Sequence, residues 1–249
     1  MDYLIRRFKI LWVFFWAGIM TSLVFLPIIV SAFLSSTGNL AFSLARSWAW
    51  VMLKLTGIRP NIRGKENIVK NQSYVIIANH QSHFDAPSII LTLGIQFRTI
   101  AKKELLKIPL FGYALYTSRN IFIDRSDKEK AVKNIQDGIK RLPPGISLLF
   151  FAEGTRSPDG MIQAFKKGGF ITAIEYGFPI LPVTVNGSRR LLPKKSLVFQ
   201  SGPIEIVVDR PIPTHNYTLD MLEELIQITK DIIVSNFNPN YPEKGGKRL

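Results

Sequence analysis

Tyr74-Val75-Ile76-Ile77-Ala78-Asn79-His80-Gln81-Ser82-His83-Phe84-Asp85 is the stretch around which the chain is organised. An apolar run breaks off into a polar segment holding two histidines and an aspartate, and after Ala86-Pro87 a new apolar run begins. A continuous rather than alternating apolar run is the pattern of a strand buried on both faces. The stretch therefore reads as a buried strand that delivers His80 to its C-terminal end, a short loop, and a helix opening near Asp85. In α/β sheets, ligands bind at the carboxyl ends of strands, which is where His80 falls. His80 and Asp85 are five residues apart and do not share a helix face. Across a strand–loop–helix junction, however, the carboxylate can fold back onto the imidazole. It would then accept from one ring nitrogen and leave the other free as a base.

Spacing alone does not carry this reading, because His215 and Asp220 repeat it. That copy follows Pro211-Ile212-Pro213-Thr214 with no buried strand before it. Asp220 in the first turn of a C-terminal helix has a sufficient structural role there.

Working outward, short apolar runs alternate with amphipathic segments after Gly57-Ile58-Arg59-Pro60. Strands are predicted over Tyr74–Ala78, Arg98–Ala101, Ile121–Ile123, Ser147–Phe151, Ile180–Val185, Leu197–Phe199 and Ile204–Val208. Between them, Ser126-Asp127-Lys128-Glu129 reads as a capping box. Val132, Ile135, Ile139 and Leu142 then line one face until Pro143-Pro144-Gly145. A last helix is predicted from Thr218 to Phe237, with Leu222, Leu225, Ile226, Thr229 and Ile233 inward. The expected fold is α/β over residues 59–249, a largely parallel sheet flanked by helices, with 239–249 a frayed tail.

Residues 1–58 differ in kind. Ile10 to Leu34 carries no charge, and 25 residues at ~1.5 Å each make ~37 Å of helix against a hydrocarbon core of ~30 Å. The run exceeds a signal-peptide core, and Ser31-Ala32-Phe33 is a poor cleavage site. Ser35 to Asn39 is a good turn. The next segment, to Ile58, sets Arg46 and Lys54 on one side among tryptophans, as an interfacial helix does. Basic residues lie both before and after the apolar run, which a single crossing does not satisfy. The reading is a membrane-associated two-helix hairpin that returns to the side it entered; a single span is the alternative.

Thirty-two basic residues against 18 acidic give a net charge of +14, which favours anionic partners. There is no cysteine, which excludes disulfides, thiolate nucleophiles and Cys-based metal sites. Polar residues follow several predicted strands: Lys102-Lys103-Glu104, Asp124-Arg125, and Glu153-Gly154-Thr155-Arg156-Ser157. In a parallel sheet His80, Lys102, Arg125 and Arg156 emerge at one edge. One base among three cations suits a phosphorylated substrate. Taken singly, each has an ordinary reading: solvated lysines, a local Asp–Arg pair, a turn with Gly154 at positive φ.

Four segments in order, Asn79-His80 with Asp85, Phe122 to Arg125, Phe151 to Ser157, and Pro179-Ile180-Leu181-Pro182-Val183, closely resemble the motifs of the glycerolipid acyltransferases, nearest to the bacterial 1-acyl-glycerol-3-phosphate acyltransferases. The resemblance covers about residues 60 to 210. It implies that His80 is the general base and that Asp85 orients it. It implies Arg125, Arg156 and Lys102 as ligands of the acceptor phosphate. It further implies that Glu153, Gly154 and Thr155 shape the pocket, and that Pro182 shapes the wall near the acyl donor. The implied reaction carries an acyl group from acyl carrier protein or coenzyme A to the sn-2 hydroxyl of the acceptor, giving phosphatidate. The resemblance also implies that no cofactor, metal or covalent acyl-enzyme takes part, and that the enzyme sits on the cytoplasmic face of the inner membrane. Arg119 stands where the second motif often has Gly, and Ala152 where the third often has Pro. Glycerol 3-phosphate and other lysolipids remain alternative acceptors.

Other classes fit less well. A membrane-anchored binder of nucleic acid or anionic lipid would use the same charge, but the basic residues form no single stripe or nucleic-acid module. A hydrolase lacks a Gly-x-Ser-x-Gly elbow. A metal site from His80, His83 and Asp85 has no further ligand in view.

Overall fold

Every residue of β2 (Val75–Ala78) is buried, as its unbroken apolar run requires, and the sheet is assembled around it. The computed structural model describes residues 2–35, 37–194 and 199–242. Seven strands lie in the order β1-β7-β6-β2-β5-β3-β4. They are β1 (Ile58–Arg63), β2, β3 (Phe97–Lys102), β4 (Ile121–Ile123), β5 (Ser147–Phe151), β6 (Ile180–Asn186) and β7 (Gly202–Val208). All neighbouring pairs are parallel except β6 with β7.

The sheet is covered on both faces. Tyr74, Ile76 and Ala78 join one core with Phe42 and Leu53 of α2 (Asn39–Leu55) and Ile89 of α3 (Asp85–Thr92). Val75 and Ile77 point the other way. They meet Ile135 and Ile139 of α5 (Lys128–Ile139), Phe170 and Ala173 of α6 (Gly168–Tyr176), and α8 (Leu222–Ser235). The α8 face is the predicted one: Leu222, Leu225, Ile226, Thr229 and Ile233 are buried. A Cβ on Gly169 would lie 2.8 Å from Ile77 Cδ1, so the glycine lets α6 settle onto β2. The α/β class and its mainly parallel sheet are thus as expected from the pattern.

Three expectations need correction. β1 was not anticipated; Ile58 to Arg63 contains Pro60, and an edge strand tolerates a missing N–H. The cap of α5 is Asp127, whose carboxylate accepts from Lys130 N at 3.0 Å. Ser126 is instead drawn to Asp124 Oδ1 by both its N–H and its hydroxyl. Val132 is 44% exposed, so only part of the predicted α5 stripe is core. Most of the predicted Leu197–Phe199 strand lies outside the described residues, as does 243–249 of the tail.

At the N-terminus α1 (Asp2–Leu34), with Pro27 inside it, packs against α2 after a turn at Gly38. Among the described residues no helix is long and apolar enough to cross a membrane. The hairpin is fastened to the sheet by Arg98, which is fully buried in β3. Its guanidinium donates to Thr37 O (2.9 Å), Asn39 Oδ1 (2.8 Å) and Phe97 O (3.0 Å), and lies over the Phe42 ring. Burial lowers its pKa to about 10, still charged at neutral pH. Arg119 (φ 60) lies beside the same turn, its Cγ 2.8 Å from where a Gly38 Cβ would stand. Its left-handed backbone is the conformation for which glycine is usual.

Candidate active site

Beyond β2 the chain is pinned before it turns. Asn79 is buried, and its side-chain amide pairs with the backbone of Val185 in β6, donating at 3.0 Å and accepting at 2.7 Å. His80 then stands at the carboxyl edge with its Nδ1 2.7 Å from Asp85 Oδ2. The same oxygen accepts from Gln81 N (2.6 Å) and Ser82 N (2.8 Å). Two backbone N–H groups aimed at Oδ2 leave no room for a proton on it. The shared proton therefore belongs to Nδ1, which in the neutral imidazole leaves the lone pair on Nε2. Among the described residues nothing bonds to Nε2. Asp85 is fully buried as the first residue of α3, and its Oδ1 has no partner among the described residues. Ser82 ties the loop down by donating to Leu192 O at 3.0 Å.

β5 supplies the opposite wall. The Phe151 ring stacks on the His80 imidazole at 4.0 Å between centroids. Glu153 is buried, with Oε1 accepting from His80 N (2.8 Å) and Oε2 from Gln163 N (3.1 Å). Burial pushes its carboxyl above the usual range, against the two N–H bonds and the charge of His80. Gly154 follows at φ 71, in the left-handed region, and the turn returns Ser157 N to His80 O at 2.8 Å.

The predicted cations gather at this edge, since β2, β5, β3 and β4 are adjacent and parallel. Lys102 ends β3, exposed. Arg125, after β4, donates to Gly154 O. Asp124 does not pair with Arg125; it binds Lys103, which with Ser126 holds it well below the usual carboxylate range. Loss of hydration lowers the pKa of Arg156, against the attraction of the Asp85 carboxylate. His83 is pushed down to about 4, first by loss of hydration, then by Arg156 and His80, against Asp85. His83 is exposed by surface area, so its dehydration is partial and the cation beside it is the cause that bears on the site. Pro182 is not at the edge. It pairs with Ile77 inside the sheet, three residues upstream of His80, and its missing N–H falls where the β7 pairing ends. His215 and Asp220 are both exposed, away from this constellation.

A clasp on the Arg156 loop was not legible in the sequence. Lys194 Nζ donates to Arg156 O (2.8 Å) and Thr155 Oγ1 (3.1 Å). Arg189, on α7 (Ser188–Leu191), donates to Ser157 O (3.1 Å) and Pro158 O (3.0 Å). Three successive carbonyls are thus held by two cations. Nothing in the spacing signals it, because the partners lie more than thirty residues away in sequence. Asn79 and Phe151 stood within the quoted motifs, but their contacts depend on strand order.

A family model described as Acyltransferase matches residues 59–186, slightly more than half of the chain, with His80, Asp85, Lys102, Arg125 and Arg156 inside the match. The chain belongs to the acyltransferase family. Among curated acyltransferases it is similar to the chloroplastic 1-acyl-sn-glycerol-3-phosphate acyltransferase of Arabidopsis thaliana, 32% identical over 72% of this chain and 50% of that one. The 1-acyl-sn-glycerol-3-phosphate acyltransferase of Saccharomyces cerevisiae is 34% identical over 76% of this chain and 63% of its own. The chain thus spans half to under two thirds of the length of these relatives. The crystal structure of the 1-acyl-sn-glycerophosphate acyltransferase of Thermotoga maritima superposes with a TM-score of 0.84 at 24% identity, covering 100% of both chains. That likeness establishes the acyltransferase fold, N-terminal helices included.

Proposed function

We propose that this acyltransferase moves an acyl group from a thioester to the sn-2 hydroxyl of 1-acyl-glycerol 3-phosphate, forming phosphatidate. The observation that carries the reading is the free Nε2 of His80. Its other nitrogen is committed to a buried Asp85 oxygen that already holds two backbone N–H groups. His80 takes the proton of the acceptor hydroxyl as that oxygen attacks the thioester carbonyl. Asp85 offsets the positive charge that develops on the ring. The C–S bond then breaks, and the proton leaves with the thiol. The acceptor itself is the nucleophile, so no covalent acyl-enzyme and no cofactor is needed. Arg125, Arg156 and Lys102 bind the acceptor phosphate, where guanidinium forks match its oxygens. Glu153, Gly154 and Thr155 hold that loop in place.

The donor is an acyl group on acyl carrier protein or coenzyme A; the net charge of +14 favours either, since both are anionic. The exposed apolar residues of α1, among them Phe8, Leu11, Phe15, Leu26 and Phe33, support attachment to a bilayer in which acceptor and product reside. The face is the cytoplasmic one of the inner membrane, where thioester donors are made.

The test uses purified protein in detergent with lysophosphatidate and a long-chain acyl thioester. Phosphatidate should form, and His80→Ala should abolish it. Equal product from the variant would overturn the mechanism. Turnover with glycerol 3-phosphate but not lysophosphatidate would move the acceptor assignment.

A further inference from the structure

We infer that the segment from Lys103 to Tyr116 is a second membrane-contacting surface, which lays the catalytic edge of the sheet on an anionic bilayer. The inference rests on the lipid-acceptor reading above and adds a place where the active site itself meets the membrane. Lys102 closes β3, and the chain passes at once into a 3-10 turn (Lys103–Lys107) and then α4 (Phe111–Thr117). In this short stretch four large apolar or aromatic residues face solvent: Leu106 (43%), Ile108 (45%), Tyr113 (47%) and Tyr116 (59%). Their exposure is built in. Gly112 packs so closely that a Cβ would lie 2.5 Å from Leu106 O, and Leu110 adopts φ 61, so the backbone is folded tightly beneath them.

Two observations name the bilayer as the occupant. The first is continuity. α4 packs against α1, and Phe111 lies 6.5 Å from Trp48 of α2, so the apolar residues of this segment adjoin the exposed apolar helix of the hairpin. The second is charge. Lys102 and Lys107 stand among these residues beside Glu104, the one acid of the segment, while Lys103 is taken up by Asp124, and the two tyrosines are the residue type that sits at headgroup level. An apolar and tyrosine-bearing surface with a lysine fringe matches an anionic interface. It begins directly after Lys102, one of the proposed phosphate ligands, so a lysolipid would need to rise only as far as its headgroup to reach His80. The hairpin attaches the enzyme, and this segment sets the tilt of the catalytic edge.

The absence of cysteine makes a direct experiment simple. Single variants Ile108→Cys and Tyr116→Cys of the full chain are labelled with an environment-sensitive nitrobenzoxadiazole probe. Phe15→Cys on α1 and Val132→Cys on α5 serve as references. Vesicles of phosphatidylcholine with phosphatidylglycerol are then added, with and without lipids carrying a nitroxide on the acyl chain. Probes at 108, 116 and 15 should shift to the blue and be quenched by the nitroxide lipid, whereas the probe at 132 should not respond. If 15 is quenched while 108 and 116 behave like 132, the hairpin binds alone and the inference falls. A shift at 116 that is present without vesicles and reversed by dilution would mean that a second copy covers the surface, which also overturns it. In a parallel assay the double variant Leu106→Ser/Ile108→Ser should lose about tenfold in turnover of vesicle-embedded lysophosphatidate and keep turnover of a water-soluble short-chain acceptor. Equal loss on both acceptors would refute a membrane role. Failure of the wild type on every acceptor would sink the proposed reaction and leave the quenching result to decide the surface.

Discussion

Replacing Asp85 by Asn would separate the two things a carboxylate beside a catalytic histidine can do. All three N–H donors in this site converge on one oxygen, Oδ2, while Oδ1 has no partner among the described residues. An asparagine whose amide oxygen occupies the Oδ2 position keeps every one of those bonds, keeps the proton on Nδ1, and sets its NH2 where Oδ1 was. Only the negative charge is lost. Its centre is about 4 Å from that of the imidazole, where one charge pair at an effective dielectric of ~20 is worth ~4 kcal/mol. The His80 side chain is only 20% exposed, so solvent weakens this little. Turnover should therefore fall by ~10³-fold, with the acceptor KM almost unchanged. The buried NH2 should cost ~1–3 kcal/mol of stability, read as a lower urea midpoint. Asp85→Ala should fall further, because it also strands the Gln81 and Ser82 N–H groups. Steady-state kinetics in detergent micelles decide the matter. An Asp85→Asn enzyme keeping more than about a tenth of wild-type turnover would show that Asp85 only orients the ring, and the charge argument would be wrong.

The other predictions concern the surroundings of that pair. Lys194→Met frees Arg156 O and Thr155 Oγ1 and should raise the acceptor KM about tenfold at constant kcat; a kcat effect at constant KM would contradict the clasp. Glu153→Gln can serve only one of its two N–H donors and should lower kcat about 10- to 100-fold through a displaced His80, detectable as a changed pH profile with unaltered acceptor KM. With its pKa near 4 in the folded state against 6.5 for a free histidine, His83 takes up fewer protons folded than unfolded between those values. Its contribution to stability is therefore flat above pH ~6.5, declines as pH falls toward ~4, and is flat again below. The wild type should lose more urea resistance than His83→Gln across that window, and parallel curves would refute it. Arg98→Ala removes the guanidinium bonds to Thr37 and Asn39 and should cost ~3 kcal/mol, with faster proteolysis between α1 and α2.

What could be read from the chain is what local pattern dictates. The continuous apolar runs marked β2 and β5, β4 was bounded by its polar flanks, and the α8 stripe followed helical period. Asp85 opening a helix was legible because an acid is favoured in a first turn. β1 was missed because Pro60 looks like a boundary; only the knowledge that it lies at the sheet edge makes proline acceptable there. Ser126 matched a cap pattern, but Asp124 competes for it, and such competition is settled by geometry rather than spacing. Glu153 was expected to shape the pocket, but its partners, the backbone N–H groups of His80 and Gln163, are signalled by no composition. Arg98 read as an ordinary strand residue; that it is a buried cation with no carboxylate partner among the described residues depends on where the hairpin turn comes to rest.

The edge strand carries a consequence for how the molecule is made. β1 follows the hairpin directly, yet among the described residues its one strand partner is β7, in the register Ile58 to Gly202 through Arg63 to Val207. During synthesis the hairpin leaves the ribosome before the sheet does and is free to settle on a membrane. The strand beside it must wait until some 140 further residues have emerged before it can pair. A nascent chain stalled before Gly202 would be tethered but unfinished, with β6 lacking β7 and β1 hanging loose. Final closure of the sheet is then a stapling step, joining the start of the domain to nearly its end, and it should be the last backbone protection to appear in pulse-labelled hydrogen exchange.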